Sequence, residues 1–210
     1  KVREGDTVLL RNGQYGQFKE DTNSGQAYLL YRNGWVTYKA DAGHNPVLNG
    51  IFIQNLDKWN GQGNGTSRLR FEGLRIEAAV TIKHTTAMEI RGCHISLPPE
   101  PHSGYYAPYI KSNTYGVMTL GSTEILVEDC EVVNTYRGIY FDGDTNLTAR
   151  RNLIHDIGCD GIRYGNSYNV LLEDNRIFDI YKYRTDFHIV GTVTGEFIMG
   201  ETIVQSGSGA

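Results

Sequence analysis

A 23-residue repeat in the C-terminal half constrains this chain more than any other feature. Gly138-Ile139-Tyr140-Phe141-Asp142 returns as Gly161-Ile162-Arg163-Tyr164-Gly165, and Asn152-Leu153-Ile154 returns at the same offset as Asn175-Arg176-Ile177. Each copy holds short alternating runs punctuated by Gly and Asn. An amphipathic helix would need apolar residues every three to four positions, which this punctuation opposes. A fixed period with three short strands per turn is how a chain coils into a parallel β-helix, an all-β solenoid of coils about 22–23 residues long.

Aligning the coils gives a register. First strands begin at Val80-Thr81-Ile82-Lys83, Val117-Met118-Thr119-Leu120, Ile139-Tyr140-Phe141-Asp142 and Ile162-Arg163-Tyr164-Gly165, with Phe187-His188-Ile189-Val190 as a fifth. Second strands are Met88-Glu89-Ile90, Ile125-Leu126-Val127, Leu147-Thr148-Ala149 and Val170-Leu171-Leu172, followed by Phe197-Ile198. A turn position then holds Cys93, Cys130, Asn152, Asn175 and Glu201, and two residues later an aliphatic recurs at Ile95, Val132, Ile154, Ile177 and Ile203. Alternation sends Val80, Ile82, Val117, Ile139, Phe141, Ile162 and Tyr164 inward. Asn152 and Asn175 share one turn column, where side-chain amides can bridge adjacent coils. Cys93 and Cys130 stack on neighbouring coils, read first as two buried thiols and alternatively as a disulfide.

The 210 residues fit one domain, 1–210, with irregular entry coils over 1–50 and regular coils over 51–206. The start at Lys1 in mid-pattern and the end in Ser206-Gly207-Ser208-Gly209-Ala210 read as a piece of something longer. A net charge of −4 without a Lys/Arg run argues against nucleic acid as a partner. No apolar stretch is long enough to span a bilayer.

The entry segment, Gly5-Asp6-Thr7-Val8-Leu9-Leu10 through Trp35-Val36-Thr37-Tyr38-Lys39-Ala40 to Val47-Leu48-Asn49-Gly50, resembles the opening coils of secreted right-handed parallel β-helix proteins. The later G-I-x…N-x-I coils are similar to that superfamily's repeats. The group includes pectate-lyase-like polysaccharide lyases, uronate epimerases, polygalacturonase-like hydrolases and non-enzymatic repeat proteins. The resemblance covers most of the chain and speaks for fold more than for function. Tyr140-Phe141-Asp142-Gly143-Asp144 partly matches the Y-G-x-D-P-H-D motif of mannuronan epimerases but lacks its histidine. What the resemblance implies is a secreted, periplasmic or cell-surface protein acting on an acidic polysaccharide, often with calcium.

The register then nominates residues. Outward first-strand rows run Thr81, Met118, Tyr140, Arg163, His188 and Lys83, Leu120, Asp142, Gly165, Val190. β-Elimination or C5-epimerisation of a uronic acid needs a carboxylate neutraliser, a base and an acid. Arg163, with its planar fork, suits the first role. His188 suits the second and Tyr140 the third, with Lys83 at the groove's edge. The connection 96–115 is far longer than Gly158-Cys159-Asp160, its short counterpart, and places Tyr105, Tyr106 and Tyr109 as sugar-stacking candidates. A second enlarged turn, Tyr181 to Asp186, adds Arg184 for substrate. Asp142 and Asp186 are the candidate calcium ligands, by their hard oxygen donors. His94 and His155 fall on the third-strand face and read as surface residues. A non-catalytic adhesin, fibre or sugar-binding module is the alternative. A polygalacturonase-like hydrolase ranks lower, because it needs clustered carboxylates.

Overall fold

The computed structural model describes residues 2–21, 32–55, 66–98 and 114–180, together with the backbone of 187–188 and 192–193. Seven coils stack along these residues. They are β1 (Thr7–Leu10), β2 (Gly13–Tyr15) and β3 (Phe18–Asp21); β4 (Val36–Ala40), β5 (Pro46–Leu48) and β6 (Ile51–Gln54); then β7 (Thr66–Glu72), β8 (Arg75–Ile76) and β9 (Val80–Lys83). The fourth coil is β10 (Thr86–Arg91), β11 (His94–Ser96) and β12 (Tyr115–Leu120). In the fifth and sixth coils the third and first strands run together as one: β13 (Thr123–Glu128) is followed by the long β14 (Glu131–Asp142), and β15 (Thr145–Arg150) by the long β16 (Leu153–Gly165). The seventh is β17 (Tyr168–Glu173) and β18 (Arg176–Ile180), before two short strands β19 (Phe187–His188) and β20 (Thr192–Val193).

Every coil-to-coil pairing up to β18 is parallel. The second-strand sheet runs β1-β4-β7-β10-β13-β15-β17. The first-strand sheet is β3, β6, β9, β12 and the C-terminal halves of β14 and β16, while β2, β5, β8, β11, their N-terminal halves and β18 make the third. The expected register is present: Val80, Val117, Ile139 and Ile162 pair in sequence, as do Ile95, Val132, Ile154 and Ile177. The entry residues are more regular than expected, since β1 to β3 already stack strand for strand on β4 to β6.

The core is the inward half of each strand. Ile51, Ile53, Val80, Ile82, Val117, Ile139 and Phe141 are fully buried, and Ile162 and Tyr164 pack partly buried against them. Residues of positive φ repeat from coil to coil, both in the turns and at the second residue of β10, β13, β15 and β17. One such column is His84, Gly121, Gly143 and Asn166; another is Ala87, Glu124, Asn146 and Asn169; a third is Gly92, Asp129, Arg151 and Asp174. Gly, Asn and Asp recur there because they tolerate left-handed backbone.

Buried polar columns tie the turns together. Asn152 Nδ2 donates to Asn175 Oδ1 at 2.9 Å and to Val127 O at 3.0 Å, and the Cys130 N–H donates to Asn152 Oδ1 at 3.0 Å, so the asparagine ladder exists as expected. Cys93 and Cys130 are buried free thiols in the same column, with Sγ on Phe71 O and Ile90 O. On the outer second-strand face Lys39, Glu72, Arg91, Glu128, Arg150 and Glu173 alternate in sign on successive coils. Arg91, Arg150 and Arg151 all reach Glu128. These charges neutralise one another across strands, which leaves that face little for a ligand.

The fifth first-strand is corrected by the structure. Phe187–His188 pairs antiparallel with β18, His188 opposite Arg176, and β20 pairs antiparallel with β17. β19 runs opposite to β18, so the backbone of His188 stands at the third-sheet edge and not beside Arg163. Among the described residues no helix is long and apolar enough to cross a membrane.

Candidate functional site

Strand alternation on the first-strand sheet sets three outward rows. The row Thr81, Met118, Tyr140, Arg163 and the row Lys83, Leu120, Asp142, Gly165 are in register as expected. A third row, Tyr115, Arg137, Asp160, precedes them. It exists because β14 and β16 run unbroken through the bend, so the residue before each glycine is already strand and not turn.

These rows converge on one cluster. Arg137 Nε donates to Asp160 Oδ2 at 2.9 Å, and its NH1 donates to the Tyr115 hydroxyl at 3.1 Å. Its guanidinium lies 5.6 Å from the ring centroids of Tyr115 and Tyr136 and 5.4 Å from that of Tyr140. Tyr115 and Tyr140 stack at 5.5 Å. Arg163 sits over Tyr140 at 5.8 Å and approaches Asp160 at 3.5 Å. The Tyr140 hydroxyl donates to Asp142 Oδ2 at 3.1 Å. The two arginines differ in freedom: the side chain of Arg137 is 17% exposed and held on several sides, whereas that of Arg163 is 39% exposed and touches Asp160 only loosely.

The electrostatics follow from these contacts. Partial burial and the Asp142 charge raise the Tyr140 pKa, against the arginines, so its phenol stays protonated and acts as a donor. Burial alone would lower Arg137, but Asp160 and Tyr115 outweigh it and raise its pKa further. Beneath the face, burial pushes Asp144 up to about 6, although Thr119 Oγ1 and the N–H groups of Ser122 and Asp142 all donate to it. Asp144 therefore holds the turn together and is not an exposed ligand.

Of the residues nominated from sequence, Tyr140, Arg163 and Asp142 come together here. Lys83 lies on the same face two coils away, in the column through Leu120. His188 does not join them. Tyr105, Tyr106, Tyr109, Arg184 and Asp186 lie outside the described residues. Asp142 has no set of companions suited to calcium: among the described residues no group of three or more His, Cys, Asp or Glu side chains is placed to hold a metal ion. Arg137, Tyr115 and Asp160 were missed as a row, though the recurring residue before Gly116, Gly138 and Gly161 marks it. Thr114, at the end of the long insertion, is tied to this place by N–H bonds from Arg137 and Tyr136.

A family model described as a right handed beta helix region matches residues 29–195. Comparison with curated proteins gives no match, nor does comparison with solved structures.

Proposed function

The chain belongs to the right-handed β-helix family, and from its first-strand face we propose that it binds an acidic polysaccharide. The observation that carries this reading is the stacking of Tyr115 and Tyr140 with Arg137 and Arg163 on adjacent coils. Flat rings offer apolar faces to sugar rings, and a guanidinium with unspent donors accepts a carboxylate or sulfate. Coil spacing of about 4.8 Å lets one extended chain meet several coils at once. Such a ligand places the protein outside the cell or in the periplasm.

Turnover by β-elimination or epimerisation is the second reading. It rests on Tyr140, a protonated donor beside the anion-receiving Arg163. The base is the missing part: Asp142 and Asp160 are the carboxylates of the Arg–Tyr cluster among the described residues, and each already accepts a hydrogen bond from a neighbour. The same engagement keeps hydrolysis by a carboxylate pair the weaker option.

Affinity electrophoresis against alginate, pectate, glycosaminoglycans and a neutral glucan tests binding. Retardation by the acidic polymers alone is expected, and Arg163→Ala should weaken it roughly tenfold or more. Arg151→Ala, on the second-strand side, should leave it unchanged. Equal retention of the neutral glucan, or indifference to Arg163→Ala, overturns the proposal. Ultraviolet absorbance of an unsaturated product, followed with and without calcium, decides whether binding leads to elimination.

A further inference from the structure

On the third-strand face, away from the Arg–Tyr cluster, four side chains form a hydrogen-bonded chain across three coils. Glu131 of β14 meets His94 of β11 through Oε2 at 2.7 Å and His155 of β16 through Oε1 at 3.1 Å. The second ring nitrogen of His155, Nδ1, lies 2.7 Å from Asp156 Oδ2. His155 is thus placed between two carboxylates with both nitrogens engaged. A neutral imidazole has one N–H and one lone pair, so it can donate to only one of them. Its lone pair would face the other carboxylate at hydrogen-bond distance. Only the imidazolium, with two N–H groups, fits both contacts.

We propose that His155 is a proton-operated staple between β14 and β16, charged in the folded protein and released by deprotonation. The surroundings favour the cation. Phe178 of β18 lies flat against the ring, with centroids 4.9 Å apart and planes 7° from parallel. A π-face attracts a cation placed over it. The other charges nearby are accounted for: Arg75 of β8, in register with His94, pairs with Glu77 at 2.9 Å, and Arg176 of β18 sits on the far neighbour Phe178 at 4.9 Å. Asp179 lies beyond on β18, and His188 of β19 is opposite Arg176 in register. Burial alone would lower the His155 pKa, but Asp156 and Glu131 outweigh it and hold it above the ordinary histidine value. Glu131 is lowered in turn by its bonds from His155 and His94.

The sign of the linkage follows. A histidine whose folded pKa is raised adds stability that is fully present below its unfolded pKa and lost as pH rises through the folded one. Above that point β14 and β16 keep their backbone ladder here, but the neutral ring can donate to only one of Asp156 and Glu131, and the shorter contact to Asp156 leaves the bridge to Glu131 without its donor. These are also the strands that carry Arg137, Tyr140, Asp160 and Arg163, so the staple ties together the base of that face.

Proton NMR titration of the histidine rings of the full chain tests the proposal. His155→Gln identifies the resonance among the six histidines. It should titrate above the ordinary histidine value in the parent protein, and move back toward it in Asp156→Asn and in Glu131→Gln. Urea midpoints should fall through the same pH range in the parent and stay flat across it in Asp156→Asn. Should His155→Gln fail to fold, Asp156→Asn still decides: Asn keeps the left-handed backbone that Asp156 adopts at φ 54°. A His155 that titrates at or below the ordinary value, or that ignores Asp156→Asn, overturns the staple.

Discussion

Gly138→Ala is expected to destabilise the fold by about 3 kcal/mol, at the upper end of what an inserted methyl costs in a packed interior. A Cβ on Gly138 would lie 2.4 Å from the Gly161 carbonyl oxygen and 2.6 Å from Ile154 Cγ2. The first contact is with backbone of the next coil, so relief requires β14 and β16 to separate. Gly161 and Gly116 are equally tight, at 2.4 Å from Ile177 Cγ2 and 2.3 Å from Val132 Cγ1. Positive φ is not the cause, because none of these three adopts it. The demand is for space, where the third-strand run bends into the first-strand run. Gly143→Asn is the control: Gly143 has φ +65°, a Cβ there would meet only the Gly121 nitrogen at an unstrained 4.0 Å, and Asn166 already fills the equivalent turn. Urea denaturation of the two variants should show a large loss for Gly138→Ala and almost none for Gly143→Asn. Equal losses would mean that the bend is not sterically closed.

The same glycines explain how much could be read beforehand. Gly138 and Gly161 anchored the repeat, and the columns Ile95 to Ile177 and Val80 to Ile162 fell into register because each coil position imposes its own requirement. Inward positions must be apolar, and left-handed turns favour Gly, Asn or Asp. Those requirements leave marks on residue type. Strand direction does not. Phe187-His188-Ile189-Val190 alternates equally well as a parallel or an antiparallel strand, so the pattern that puts His188 beside Arg163 does not distinguish that sheet from the one it joins. At the candidate site Tyr140, Arg163 and Asp142 were legible as outward partners of buried neighbours. Arg137, Tyr115 and Asp160 were not, because a glycine in such a pattern marks a turn as readily as a strand. The structure carries the strand through it, which puts the residue before the glycine on the same outer face. The His155 bridge was hidden for another reason: Glu131 and His155 are 24 residues apart and occupy adjacent columns, so no single-column alignment pairs them.

Asn152→Ala should cost about 3 kcal/mol, because one small truncation orphans several buried groups, each worth roughly 1–3 kcal/mol when left unpaired. Asn152 is 1% exposed. Its loss leaves the Cys130 N–H without an acceptor and Val127 O without its Nδ2 donor, and removes one of the two bonds to Asn175 Oδ1. Water has little access to replace them. Asn152→Asp is expected to be at least as damaging: Oδ1 still accepts from Cys130, but the second oxygen then faces Val127 O and Asn175 Oδ1 as a buried charge. Asn152→Cys should be the mildest of the three. Val127 is the strand partner of Ile90, and Cys130 Sγ already donates to Ile90 O at 3.5 Å in the coil before. A thiol at 152 could therefore reach Val127 O in the same way, while leaving the Cys130 N–H unpaired. The order Cys, then Ala, then Asp in increasing loss, measured by urea unfolding under reducing conditions, separates a hydrogen-bonded ladder from a column that merely fills space. A space-filling column would instead tolerate the near-isosteric Asp best.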